Sequence, residues 1–419
     1  MRTTHSLAQL FWLLAIPPAL SAQAPARAPL TLAEARARAV QVAPSIAAAR
    51  QALAAAEGRL VQAGAYLNPV VTFSREQTSR DGATNSQNIL ALEQPFEIGG
   101  QRGARRDAAS ARRDAVRAGM ALDSATVDFE VTRTYAAAVA AGRRAALATD
   151  AAGAFARAVA AGAERLAAGD ISGYEQRRLR LEAARYAVVR AEAEIARDSA
   201  MRTLAALTGI DSTATLAMIP LADTLVLAPL ALTVEALTAR ALEQNPALLV
   251  QEFEARALAA DASLAAAERR PTPALIAGFK NERVATGEAF TGFVAGLSMP
   301  IPLWDRRAGA VAATSADAAR GRALTAESRQ RTIREVRAAY DAVQSLERQL
   351  LLLRPQLGED ASRARSAAEA AYREGEISLL EWLDAVRAYH EAETSYAMLL
   401  AEYAARRAAL ERATGAPLL

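Results

Sequence analysis

The sequence predicts a mainly α-helical chain with a small β part, in which one unit (a short helical segment, a β hairpin and a long helical hairpin) occurs twice. Three observations predict it. Landmarks recur about 205 residues apart along the 419-residue chain, the signature of an internal repeat. Four short stretches alternate between two faces. Long alanine-rich stretches carry apolar or aromatic residues seven apart, the spacing of coiled coils.

The repeat is read from landmarks in one order. Leu30-Thr31 returns as Leu232-Thr233, and Pro44 as Pro246. Gln94-Pro95-Phe96-Glu97-Ile98 returns as Met299-Pro300-Ile301-Pro302-Leu303, Gly169-Asp170-Ile171-Ser172 as Gly375-Glu376-Ile377-Ser378, and Thr208-Gly209 as Thr414-Gly415. This divides the chain into a first repeat over 25–210, a linker over 211–231 carrying Pro220 and Pro229, and a second repeat over 232–419.

In chain order, residues 1–24 read as a secretory signal: Arg2 and His5 form a positive start, Leu10–Ile16 is an apolar core too short to span a bilayer, and small residues fit cleavage after Ala22 or Ala24. Each unit then opens on a helix. Thr31 with Glu34 makes a capping box, and Pro44 suits the first turn of a second helix. Thr233 and Asn245-Pro246 repeat the arrangement. Strands are expected over about 70–77 and 88–96, with a polar turn over 78–86, and again over about 274–283 and 290–299. In the second pair Leu275, Ala277 and Phe279 oppose Ile276, Gly278, Lys280 and Glu282, and Phe293, Ala295 and Leu297 oppose Gly292, Val294, Gly296 and Ser298. Strands of this length with one apolar face suit lipid outside and a lumen inside.

Helical hairpins are expected over about 103–208 and 305–412. Gly142, Gly153 and Pro355 suggest kinks or stacked helices in their long first arms. Each hairpin turns at its Gly-Asp/Glu-Ile-Ser element, where Gly suits a left-handed C-cap and Ser an N-cap. In the returning arms, Tyr174, Leu181, Val188 and Ile195 lie seven apart, as do Trp382, Tyr389, Tyr396, Tyr403 and Leu410, which predicts packing along antiparallel coiled coils.

Composition excludes several functions. The chain has no cysteine, so disulfides, thiol catalysis, thiolate metal sites and attachment of lipid to an N-terminal Cys are excluded. Beyond His5, His390 is the only histidine, which leaves no room for a His-rich metal site or a Ser-His-Asp triad. Forty-nine basic residues face 46 acidic ones, interleaved along the helices rather than gathered in a stripe, so no nucleic acid is expected. Gly99-Gly100-Gln101-Arg102-Gly103 lacks the Lys-Ser/Thr ending of a phosphate loop; it reads as a strand-to-helix joint, with Arg102, Arg105 and Arg106 near a membrane interface. No catalytic residue, resident metal or cofactor is expected.

Four strands leave two open edges, and unpaired backbone cannot face hydrocarbon. Closure therefore needs copies. Two chains would give eight strands around a filled interior, three would give twelve around a passage. Gly278, Gly292 and Gly296 supply no plugging bulk, which favours three.

The duplicated unit, the paired strands and the Gly-x-Ile-Ser turns resemble the TolC family of outer-membrane efflux channels over essentially all of 30–416. Gln94–Arg102, Pro300–Arg306 and Tyr372–Ala385 resemble its heavy-metal (cobalt–zinc–cadmium) branch. The resemblance implies a homotrimer whose shared β-barrel sits in outer-membrane lipid and continues into a periplasmic α-helical barrel, without enzymatic activity. It implies two partners, a periplasmic adaptor (membrane fusion) protein and a proton-driven inner-membrane transporter. By the same resemblance, Gly169, Asp170, Ile171, Ser172, Gly375, Glu376, Ile377 and Ser378 contact the adaptor, and Glu175, Glu381 and Asp384 ring the periplasmic aperture. Many members carry a lipidated N-terminal cysteine; this chain has none. The competing expectation is a soluble periplasmic coiled-coil adaptor or scaffold, which would account for the signal and the helical hairpins but not for four alternating strands at equivalent places.

Overall fold

The computed structural model describes residues 29–210, 220–355 and 361–418. The predicted leader and residues 211–219 of the predicted linker lie outside them.

Strands β1 (Val70–Arg80), β2 (Ala83–Pro95), β3 (Ala274–Arg283) and β4 (Ala289–Ser298) form one antiparallel sheet in the order β1-β2-β3-β4. The first two are longer than the alternation predicts. Most of the polar stretch over 78–86 is strand, and the turn is confined to Asp81 and Gly82, at φ 52° and 83°. An Asp-Gly pair is the usual solution for a two-residue hairpin that needs positive φ at both positions.

Register sorts the side chains. Phe73, Leu90, Phe279 and Phe293 stand in one row across the sheet, and Val71, Leu92, Ala277 and Ala295 in the next on the same face. Thr72, Ala91, Gly278 and Val294 form a row on the other face, followed by Ser74, Ile89, Lys280 and Gly292. The apolar face is the more exposed one: Phe73 is 67%, Phe279 71% and Phe293 82% exposed. A sheet packed on a protein core would bury that face. The ten residues of β3 span about 33 Å at ~3.3 Å each and, tilted by ~40°, rise roughly 25 Å, the height of a barrel's apolar band.

The helices are α1 (Leu32–Val42), α2 (Pro44–Ala63), α3 (Gln101–Ala168), α4 (Gly173–Thr208), α5 (Val234–Gln244), α6 (Pro246–Ala267), α7 (Ala308–Pro355), α8 (Ala361–Glu374) and α9 (Leu379–Thr414). Among the described residues none is long and apolar enough to cross a membrane. The capping box of Thr31 and Glu34 forms, and Asn245 caps α6 by accepting from the Leu248 amide at 2.9 Å.

Two sequence expectations are corrected. The first long arm is one uninterrupted helix of 68 residues, about 100 Å at 1.5 Å each, with Gly142 and Gly153 inside it. An interior glycine costs about 1 kcal/mol relative to alanine, and α3 offsets this by packing on α2, α4, α6 and α9 along its length. Second, the stripe Tyr174, Leu181, Val188 and Ile195 does not pack within the protomer; the four residues are 65%, 69%, 57% and 67% exposed. A parallel heptad set, Leu179, Tyr186 and Ala193, is buried instead. On α9 Trp382, Tyr403 and Leu410 are buried as their spacing predicts.

Neighbour order is the same in every layer. The sheet runs from β1 to β4. Next to it, α3 lies between α2 and α6, and α6 between α3 and α7. Further down, α3 lies between α4 and α9, and α9 is flanked on its other side by α7 and α8. The protomer is thus a wall with β1, α2 and α4 along one edge and β4, α7 and α8 along the other. Two cores brace its middle: Leu30, Val131, Tyr135 and Leu204 around α1, and Leu237, Val336, Leu400, Tyr403 and Leu410 around α5.

Candidate functional site

Three places carry the candidate residues: the sheet face opposite the apolar one, the strand-to-helix joints, and the helical tips.

On the sheet, the polar face holds Glu76, Glu93, Lys280 and Glu282. Lys280 Nζ bonds Glu282 Oε2 at 2.7 Å, and the Gln87 amide donates to Glu76. Gly278 permits close packing, since a Cβ there would lie 2.7 Å from that of Ala91. One face thus carries charged and small residues and the other apolar side chains, the division that a strand wall between water and lipid requires.

At the joint after β2, Arg105 bonds Glu97 at 2.6 Å and donates to the carbonyl oxygens of Ala63 and Ala65. Arg102 donates to Gly64 O at 2.6 Å and lies 4.0 Å over the Tyr66 ring. The two units meet here: Arg270 Nη1 donates to Gly99 O at 2.8 Å, and Gln101 Nε2 returns a bond to Arg270 O at 3.0 Å. Any side chain at Gly99 would strike Arg270, with a Cβ only 2.6 Å away. These interlocked contacts fix the strands relative to the helices and were not foreseen from the sequence. Arg270 and Gly99 are 171 residues apart, beyond the reach of local pattern.

The tips are built alike. Gly169 and Gly375 adopt left-handed conformations, φ 86° and 80°. The next amide in each, Asp170 N and Glu376 N, donates back to Arg165 O at 2.9 Å and Ala371 O at 2.8 Å, closing the helix end. Ser172 and Ser378 then start α4 and α9. Ser172 Oγ accepts from Glu175 N at 3.2 Å while its own amide donates to Glu175 Oε2 at 2.8 Å. Ser378 and Glu381 repeat this at 3.3 and 2.8 Å. Two of the three carboxylates expected at an aperture are therefore capping-box partners, and the hydrogen bonds from Ser378 hold the Glu381 carboxyl below its ordinary range. Asp384 is exposed one turn further along α9. Behind the turns, Phe155, Tyr186 and Trp382 cluster, with Phe155 stacked 4.5 Å from Tyr186 and Tyr372 5.2 Å from Trp382. Arg387 of α9 pairs with Glu182 of α4, and Arg165 of α3 lies over the ring of Tyr372 of α8.

Comparison with known proteins agrees with this architecture. Residues 237–416 match the model of the outer membrane efflux protein family. The chain is 26% identical over 392 residues, 93% of its length and 91% of the relative's, to the cobalt-zinc-cadmium resistance protein CzcC of Cupriavidus metallidurans. It is 28% identical over 285 residues, 67% of its length and 61% of the relative's, to the nickel-cobalt-cadmium resistance protein NccC of Alcaligenes xylosoxydans. Its fold matches the CmeC outer membrane channel of Campylobacter jejuni with a TM-score of 0.73 at 17% identity, over 97% of this chain and 94% of that one. A soluble scaffold finds no support, either here or in the exposed apolar face of the sheet. Residues 237–416 thus carry the outer membrane efflux protein family's model, the chain is similar along 93% of its length to a cobalt-zinc-cadmium resistance protein, and its fold is that of solved outer-membrane channels.

Proposed function

We propose that three copies of this chain form the exit duct of a tripartite system that expels heavy-metal cations. The observation that carries the duct is the four-stranded sheet, whose apolar face is exposed while the outer edges of β1 and β4 have no strand partner among the described residues. Such a sheet is stable in lipid only when closed by further copies. The metal reading is supported by similarity along 93% of the chain to a cobalt-zinc-cadmium resistance protein. The tip turns Gly169–Ser172 and Gly375–Ser378 meet a periplasmic adaptor, which couples the duct to a proton-driven inner-membrane transporter. Glu175, Glu381 and Asp384, each present three times around the axis, favour passage of cations. Export uses the signal over residues 1–24, and anchoring relies on the barrel without a lipid.

Deletion of the gene tests the substrate. The expected result is greater sensitivity to cobalt, zinc and cadmium ions, restored by the plasmid-borne gene, with tolerance to organic antibiotics unchanged. Sensitisation to antibiotics with metal tolerance intact overturns the metal reading.

A further inference from the structure

Where the strands meet the helices, the wall carries a cleft of about 390 Å³. It is lined from both units by five arginines (Arg105, Arg269, Arg270, Arg306 and Arg307) against the carboxylates of Glu97, Glu268 and Asp305. Two of the arginines are neutralised, Arg105 by Glu97 and Arg307 by Glu268. Arg270 is turned to Gly99 O. Arg269 and Arg306 are exposed and have no carboxylate partner among the described residues. The cleft is therefore cationic, with two uncommitted guanidinium forks.

Its surroundings are apolar and exposed. Ile301, itself part of the lining, is 69% exposed, Leu303 58%, Trp304 94% and Ile98 71%. They follow the last rows of the lipid-facing band, in which Leu275 and Leu297 are paired across β3 and β4. A large aromatic ring and aliphatic side chains directly beyond a membrane strand suit the interfacial layer. The feature thus combines positive charge at headgroup depth with an apolar collar at acyl-chain depth.

We propose that this cleft binds the phosphate of an anionic phospholipid in the periplasmic leaflet, with Arg269 and Arg306 gripping the headgroup and Ile301 and Trp304 flanking its chains. Guanidinium matches phosphate oxygens two at a time, and basic pockets beside membrane spans select anionic headgroups. An inorganic phosphate would use the arginines but leave the apolar collar in water, which is why the lipid is the favoured occupant. The proposal rests on the lipid-facing reading of the sheet.

Native mass spectrometry of the detergent-solubilised full chain tests it, with dioleoylphosphatidylglycerol and dioleoylphosphatidylcholine as competing probes. The wild type is expected to retain phosphatidylglycerol in preference. Arg269→Gln with Arg306→Gln is expected to lower that preference roughly 30-fold, about five-fold per arginine. Arg283→Gln, at the far end of β3, is expected to leave it intact. Should the double variant not assemble, Arg306→Gln alone carries the test with roughly a five-fold loss. Equal uptake of both lipids overturns the proposal, as does full displacement of phosphatidylglycerol by millimolar inorganic phosphate, which marks a free-anion site. Detergent dependence of the same sample separates the two readings. A chain that stays dispersed without detergent removes both, whereas a detergent-dependent assembly with no headgroup preference removes only the cleft.

Discussion

Gly162 of α3 faces α4 near the tip, and a Cβ there would stand 2.8 Å from Leu179 Cδ1 and closer still to Gln176 Oε1. Gln176 is already committed, donating to Val159 O at 3.1 Å. Gly162→Val must displace both side chains, and overpacking of this kind costs about 1–3 kcal/mol, so a lower apparent melting temperature by circular dichroism is expected. His390 offers a second test at this scale. It is half-buried among the hairpins, its Nε2 has no hydrogen-bond partner among the described residues, and its ring meets Tyr186 of α4 edge-on at 5.6 Å. Burial holds its pKa below the ordinary value, helped by Arg144 of α3 and opposed by Glu391 on its own helix. The neutral ring therefore supports folding fully above the ordinary histidine pKa, and that support is lost as pH falls through the depressed folded value. The wild type is expected to lose more thermal stability between pH 8 and pH 5 than His390→Gln, which has nothing to protonate there. Equal losses in both would show that His390 contributes nothing to the acid sensitivity.

At the scale of elements, the tip turns are held by reciprocal caps. Ser378→Ala removes the Oγ that accepts from Glu381 N and donates to Glu381 Oε2. The expected cost is about 1 kcal/mol, together with a rise of the Glu381 carboxyl toward its ordinary range, read by NMR titration. How much of this could be read from sequence depends on range. Local patterns were readable: Thr31 three residues before Glu34 gave the capping box of α1, Asn245-Pro246 the start of α6, and alternation the faces of β3 and β4. The same capping spacing links Ser172 to Glu175 and Ser378 to Glu381, yet the resemblance drew attention to these glutamates as aperture residues instead. Asp81-Gly82 is a strong hairpin signal that was diluted by the polar residues around it, because the outer strand ends lack the alternation that marks a lipid-facing segment. The joint between Gly99 and Arg270 left no local trace, since its partners come from different repeats. The α4 stripe shows the limit of periodicity: Leu181, Val188 and Ile195 share the seven-residue spacing of Leu179, Tyr186 and Ala193, and spacing does not say which set faces its own chain.

For the whole molecule, that exposed stripe gains its meaning from the order of the wall. α4 lies along the same edge as β1, and the opposite edge is formed by β4, α7 and α8. In lipid, each unpaired N–H and C=O of β1 and β4 costs several kcal/mol, so the edges must meet. Rotating one protomer to pair its β1 with the next copy's β4 brings α4 alongside the neighbour's α7 and α8. In that arrangement Tyr174, Leu181, Val188 and Ile195, exposed in the protomer, would form the seam between copies, the coiled-coil contact that the spacing predicts but the single chain does not supply. A charge placed on this seam separates assembly from folding. Val188 is 57% exposed in the protomer, so Val188→Asp leaves the isolated fold unstrained. Burying an unpaired carboxylate against a neighbour costs several kcal/mol at each contact, and a closed ring of three repeats it at every seam. The variant is expected to keep its helical circular dichroism while sedimenting as a monomer in detergent, and the wild type is expected to sediment as a trimer. If it remains trimeric with unchanged stability, α4 does not line the seam, and the closure of the helical part must follow a different order from that of the sheet.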